Sequence, residues 1–301
     1  MIEDPANRPV EGVLWMLATG LCFVAVTGMV RYLGTGLPAA ESAFLRFVFG
    51  SILLAPVLVR VLRNGLPAGS FRLFAARGAL HSLATALWFY AMARLPVAEV
   101  TAIGYLNPIV VTLGAALLLG EKLAARRLTA IAVALLGALV VLRPGLRELS
   151  SGHLAQLSAA VFFGVSYLIA KRLAVLASAT EVVAMMSLTV AAGLMLPALA
   201  VWVWPDLTQI LILVLVTLVA TAGHYCMTRA FVAAPLAVTQ PVVFLQLVWA
   251  TLLGALVFGE AVDPYVLAGG AMIIAAISYM TWREAQLRRR AVTPAPVAAK
   301  L

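Results

Sequence analysis

Ten apolar stretches, each about as long as a bilayer is thick, dominate this sequence. They cover residues 12–33, 39–62, 72–93, 97–119, 125–142, 154–176, 181–203, 207–229, 236–258 and 264–282. An α-helix needs about 20 residues to cross roughly 30 Å of hydrocarbon. The runs are continuous and lack the alternation of barrel strands. The expected fold is therefore an all-α integral membrane protein of ten transmembrane helices. Composition agrees, with 64% hydrophobic residues, 11% charged residues and a mean hydropathy of +1.06, where a soluble domain carries roughly 25% charge. Connections such as LPAGSFR, ARLPVAE and WPDL are short and leave no room for a separate soluble domain.

Loop charge predicts the orientation. With the N-terminus in the cytoplasm, 15 Lys and Arg fall inside and 4 outside, while Arg46 and Arg77 lie within helices. That asymmetry places both termini inside. Residues 1–11 lack the basic segment and short apolar core of a cleavable signal, so the first apolar run is expected to be retained. The Arg288–Arg290 run reads as a topology determinant beside anionic lipid rather than a nucleic-acid site. Cys22 and Cys226 lie inside apolar runs and read as packing residues, not a disulfide.

An internal repeat is the most informative pattern. A shift of 139 residues lays Thr112–Glu121 (TLGAALLLGE) on Thr251–Glu260 (TLLGALVFGE), with 6 of 10 positions identical. The same shift lays Pro96 on Pro235, Ala98 on Ala237 and Ala91 on Ala230, and a shift of 140 lays Arg31 on Lys171 and Glu41 on Glu181. Each half holds five apolar runs. An odd number turns the second half upside down in the membrane, giving two inverted five-helix repeats (5+5). The expected organisation is a cytoplasmic N-terminus at 1–11, repeats at 12–142 and 154–282, a loop at 143–153, and a basic cytoplasmic tail at 283–301 whose end reads as disordered. Inverted repeats are the architecture of alternating-access carriers, with the substrate near mid-membrane between the halves.

These features, namely two five-helix halves, fourth helices ending in Gly120-Glu121 and Gly259-Glu260, and Leu45-Arg46-Phe47 in the second helix, resemble the drug/metabolite transporter superfamily of the EamA type. At finer grain the chain is similar to bacterial exporters of aromatic and other neutral amino acids. The resemblance spans about residues 12–282 and implies a transporter in a bacterial inner membrane. The second half departs from the pattern, with Met186 opposite Arg46 and Leu247 opposite Pro108.

Polar residues inside helices are the candidate substrate ligands, because lipid penalises each of them. His81, Thr85 and Trp88 share one face of the third helix; Thr101 and Tyr105 share one face of the fourth, with Asn107 beside them. The eighth helix offers His224, and the ninth Gln240, Gln246 and Trp249. Under the repeat shift, Thr85 meets His224, Thr101 meets Gln240 and Asn107 meets Gln246. Such pairing is expected if these helices line one cavity. The competing reading is that these groups join neighbouring helices, at about 0.6 kcal/mol each. Arg46 divides between the cavity and the headgroups, while Arg77, one turn inside its helix, is expected to snorkel outward. Trp15, Trp202 and Trp204 read as interfacial anchors. Pro56, Pro108, Pro197 and Pro241 fall inside helices and mark possible hinges.

The 12 acidic residues lie at helix ends, in loops or in tails, so no carboxylate is expected at mid-depth. Motifs of intramembrane proteases, paired buried Asp, HExxH or GxSG, are absent from the sequence. Neither catalysis nor a cofactor nor a metal is expected. The predicted function is a secondary carrier, an exporter or facilitator of small neutral metabolites, with aromatic and other hydrophobic amino acids foremost. Its partners would be that substrate and membrane lipid. Efflux of lipophilic cations or drugs is one alternative; a structural or lipid-handling subunit without a translocation path is another.

Overall fold

The computed structural model describes residues 8–107, 109–111, 113–114, 125–146, 148–233 and 242–292. These residues form eleven helices: α1 (Pro9–Leu33), α2 (Ala39–Leu53), α3 (Ala55–Asn64), α4 (Ser70–Met92), α5 (Val97–Gly104), α6 (Ala125–Leu142), α7 (Ser151–Leu176), α8 (Ala179–Ala200), α9 (Leu207–Ala233), α10 (Leu245–Phe258) and α11 (Pro264–Val292). Four of them, α1, α7, α8 and α9, are long and apolar enough to span a bilayer on their own, and α2 with α3 makes a fifth span if the bent pair is one. The shorter apolar helices include α6, α10 and the start of α11.

Polarity is arranged for lipid. Leu14, Leu62, Leu196, Leu211 and Leu256 stand exposed on the outside, while His81, Thr85, Gln156, Ser166, Ser187 and Thr217 are buried. In hydrocarbon every polar group needs a protein partner. Most hydroxyls find one on their own helix: Thr19, Thr27, Ser51, Thr101, Thr221 and Thr251 each donate to the carbonyl four residues back, a geometry open to Ser and Thr in any helix.

The helices pair across the chain rather than along it. α1 packs on α9, α4 on α7, α2 on α8, α5 on α10, and α6 on α11. Counting the bent α2–α3 pair as one, and numbering separately within residues 9–142 and 151–292, the pairs are first with third, third with first, second with second, fourth with fourth and fifth with fifth. The pattern is unchanged when the halves are exchanged. The α6–α11 crossing is close enough to require glycine. A Cβ at Gly137 would come 2.7 Å from the Gly269 carbonyl oxygen, and one at Gly269 would collide with the Gly137 carbonyl.

Two prolines at nearly matching places behave differently. The second span breaks at Leu54, and α2 and α3 meet at 72°. Pro56 sits in the first turn of α3, where it withholds an N–H and its ring crowds the preceding turn. Pro197 lies inside α8, which continues to Ala200. The last helix continues past Trp282 through the basic segment, and α11 ends at Val292. At the start of α8, Ser178 and Glu181 form a capping box. The Ser178 amide and hydroxyl each donate to the Glu181 carboxylate at 2.8 Å.

Candidate functional site

The central feature is His81, 7% exposed, on the inward face of α4. Its Nδ1 lies 3.1 Å from the Ser166 hydroxyl on α7. Three rings meet it edge-on: Phe47 of α2 at 6.0 Å, and Phe163 and Tyr167 of α7 at 5.0 and 6.5 Å. Phe163 and Tyr167 stack on each other at 6.0 Å. The 163, 166, 167 spacing puts all three α7 side chains on one helix face.

Two guanidinium groups join this cluster. Arg46 precedes Phe47, and its guanidinium carbon lies 4.3 Å from the Phe47 ring centre. Its backbone carbonyl accepts the Thr217 hydroxyl of α9 at 3.2 Å. Arg77, one turn before His81, is 6% exposed. It donates from Nη1 to the Val182 carbonyl at 3.2 Å, and its Nη2 lies 3.1 Å from the Met186 sulfur, both on α8. Arg77 therefore does not snorkel outward as the sequence predicted; α8 offers it a carbonyl inside the bundle. Both arginines are within electrostatic reach of Tyr167, His81 and His224. His224, on α9, meets Phe23 of α1 edge-on at 5.1 Å. Tyr167 is 42% exposed, so part of its ring is left uncovered by the neighbouring helices.

The other sequence candidates divide. Thr85 is 4% exposed and its hydroxyl has no partner, which leaves it a donor for something else. Tyr105 packs edge-on against Phe244 at 5.4 Å and donates to the Phe244 carbonyl at 3.4 Å. Asn107 holds a buried, unpartnered Oδ1 beside α7. Gln246 leans on Gly20 of α1. Thr101 bonds its own helix, and Trp88 packs edge-on to Phe89 at 5.3 Å. Neither of them, nor Trp249, has a polar contact with the His81 cluster among the described residues. Pro108, Gln240 and Pro241 lie outside the described residues. Sequence reasoning missed Phe163, Ser166 and Tyr167; their 3–4 spacing was the available signal.

At one end of the bundle, contacts join residues 31, 41, 97 and 99 to residues 153, 203 and 260, and residue 143 to residue 263. Glu260 accepts from Arg31 at 3.1 Å and from the Val97 amide at 2.8 Å. The fully buried Glu41 accepts the Val203 amide at 3.0 Å. Arg143 pairs with Asp263, and His153 Nε2 lies 2.7 Å from Glu99, both side chains buried. Glu41 and Glu99 lie in the first turns of α2 and α5, and both are buried there against partners from residues 151–292, Glu41 on the Val203 amide and Glu99 on His153. A cleft of about 490 Å³, lined in part by Glu99, Arg143, Glu260 and Asp263, opens beside these contacts and includes no residue of the His81 cluster.

Comparison with known proteins finds the EamA-like transporter family model matching twice, over residues 10–143 and 150–282. A riboflavin transporter of Vibrio cholerae is 27% identical over 289 residues, covering 94% of this chain and 97% of that one. An S-adenosylmethionine uptake transporter of Rickettsia prowazekii is 26% identical, covering 94% and 96%. A pseudopaline exporter of Pseudomonas aeruginosa is 26% identical, covering 88% and 94%. A crystal structure superposes with a TM-score of 0.57 at 21% identity, over 97% of this chain and 100% of that one, a likeness of fold.

Proposed function

The chain belongs to the EamA-like transporter family, and we propose that it carries small metabolites by alternating access through the space lined by His81, Arg46, Arg77 and Tyr167. As a multi-pass membrane transporter it shares full-length similarity with carriers of different cargo and direction. Ten transmembrane helices in two inverted halves remain our reading of the architecture. The exchange-symmetric helix pairing supports it, as does the double match to one family model. In this reading both termini and the Gly65 turn face the cytoplasm, and the Glu260 end faces outward.

The single observation that carries the site is the enclosed His81 cluster. Aromatic walls from Phe47, Phe163 and Tyr167 suit an apolar body, and guanidinium and imidazole N–H groups suit a carboxylate head. Aromatic and other hydrophobic amino acids, moved outward by facilitation, are the cargo we propose. The same positive charges disfavour lipophilic cations, and full-length similarity to carriers argues against a purely structural subunit. A second cargo, a flavin-like heteroaromatic, is favoured by the Vibrio cholerae relative. The test is uptake of labelled phenylalanine, tryptophan, leucine and riboflavin into proteoliposomes holding the purified protein. Saturable uptake of the amino acids, reduced by His81→Ala, supports the reading; riboflavin uptake alone supports the second.

A further inference from the structure

Arg46 and Arg77 bring two positive charges into the bundle without an acidic partner. No carboxylate stands within ion-pair distance of either guanidinium among the described residues. Arg77 is 6% exposed, and its Nε is buried with no hydrogen-bond partner. Arg46 has the Phe47 ring face beside it. Beside them stand the Met186 thioether, against Arg77, and the His81–Ser166 pair, which the Phe47 ring next to Arg46 meets edge-on. Holding unpaired charge inside a membrane protein is costly, and such residues as a rule pair or serve a transported species. The Arg77 Nε–H and the orphaned Thr85 hydroxyl are donors awaiting an acceptor.

We propose that this cluster recognises its cargo through an anionic carboxylate alone, and that net anions are preferred to zwitterions. The inference rests on the reading of the cluster as the cargo site. A carboxylate between Arg46 and Arg77 receives charge-assisted hydrogen bonds from guanidinium groups. Its aromatic body lies against Phe47, Phe163 and Tyr167. An α-ammonium group on the same molecule finds no carboxylate to accept it and is repelled by both arginines. Leaving such a group buried and unsatisfied weakens binding by about tenfold or more. A deaminated aromatic acid therefore binds more tightly than the matching amino acid, and the matching amine binds least.

The experiment measures binding to the purified protein in phosphatidylcholine nanodiscs, by ligand-induced shift of the thermal unfolding midpoint. The probes are 3-phenylpropionate, L-phenylalanine, 3-phenylpropanol and phenethylamine. The expected order is acid, then amino acid, then alcohol, with the amine last, and the acid about tenfold tighter than the amino acid. Arg46→Gln and Arg77→Gln are each expected to abolish the advantage of the acid over the alcohol, and Arg77→Lys to restore part of it. The wild-type ranking decides even if a variant fails to fold. Equal binding of acid, alcohol and amine overturns the inference while leaving a carrier possible. The expected ranking without flux in proteoliposomes upholds the anion site and removes the carrier reading. Arginine-dependent stabilisation by added phosphatidylglycerol, with none by the acid, marks a lipid-phosphate site and overturns the inference.

Discussion

Tyr105 and Phe244 stand 139 residues apart, matched under the repeat shift of the sequence, and touch each other edge-on at 5.4 Å. In the proposed arrangement of two inverted halves, a residue and its counterpart meet only at the axis that relates them, so this pair would mark that axis. Residues at such an axis move least when one half rocks against the other. Spin labels at 105 and 244 are expected to keep one separation with and without substrate, whereas a pair spanning the ends changes. The 3.4 Å bond from the tyrosine hydroxyl is long, so Tyr105→Phe should cost no more than about 1 kcal/mol. Tyr105→Ala leaves a cavity at the axis and should lower the unfolding midpoint markedly, consistent with losses of about 3–5 kcal/mol for buried aromatic truncations.

The Glu260 end supplies a second prediction. Glu260 joins α10 to α1 through Arg31 and to α5 through the Val97 amide. Glu260→Ala removes both acceptor contacts at once and should loosen this end of the bundle. A cysteine at Ala98, placed in a Cys22→Ala, Cys226→Ala background, should then react faster with an impermeant maleimide added outside intact cells. A cysteine at Gly65 should stay unlabelled from that side in both backgrounds. Labelling at Gly65 from outside would reverse the orientation, and an unchanged rate at Ala98 would mean that Glu260 does not hold this end together.

Much of this was legible in the sequence, and the physical reason is lipid. Hydrocarbon forbids unpaired backbone and scattered charge, so the apolar runs marked the described helices, while the pairs they form had to be read from the structure. The site was legible only in part. His81, Arg46 and His224 were found as costly polar residues inside helices. Tyr167 and Ser166 reach His81 only because α7 packs on α4, which the repeat shift does not disclose. Arg77 was misplaced because depth alone cannot reveal that the Val182 carbonyl lies within its reach. The break at Leu54 beside Pro56, against an unbroken helix through Pro197, depends on packing that two similarly placed prolines do not disclose.

The α6–α11 crossing gives a third prediction. Each backbone there occupies the space a neighbour's Cβ would need. Gly137→Ala or Gly269→Ala should lower stability by about 1–3 kcal/mol through overpacking, read as a drop in the unfolding midpoint in detergent. Gly65→Ala, at a turn with open space around it, strains the backbone but meets no neighbour. A smaller loss at Gly137 and Gly269 than at Gly65 would mean that the crossing is looser than described.

Facilitated transport through the His81 cluster is the central claim, and counterflow tests it most directly. Proteoliposomes loaded with unlabelled phenylalanine, at equal pH and sodium on both sides, are diluted into labelled phenylalanine. The account predicts saturable label entry that unlabelled internal substrate accelerates, that His81→Ala slows at least tenfold, and that neither a pH step nor sodium drives above equilibrium. The prediction of no ion coupling follows from the sequence, which places no Asp or Glu near the middle of an apolar run. Entry no faster than in protein-free liposomes, or net accumulation under a pH gradient alone that a protonophore abolishes, would contradict it.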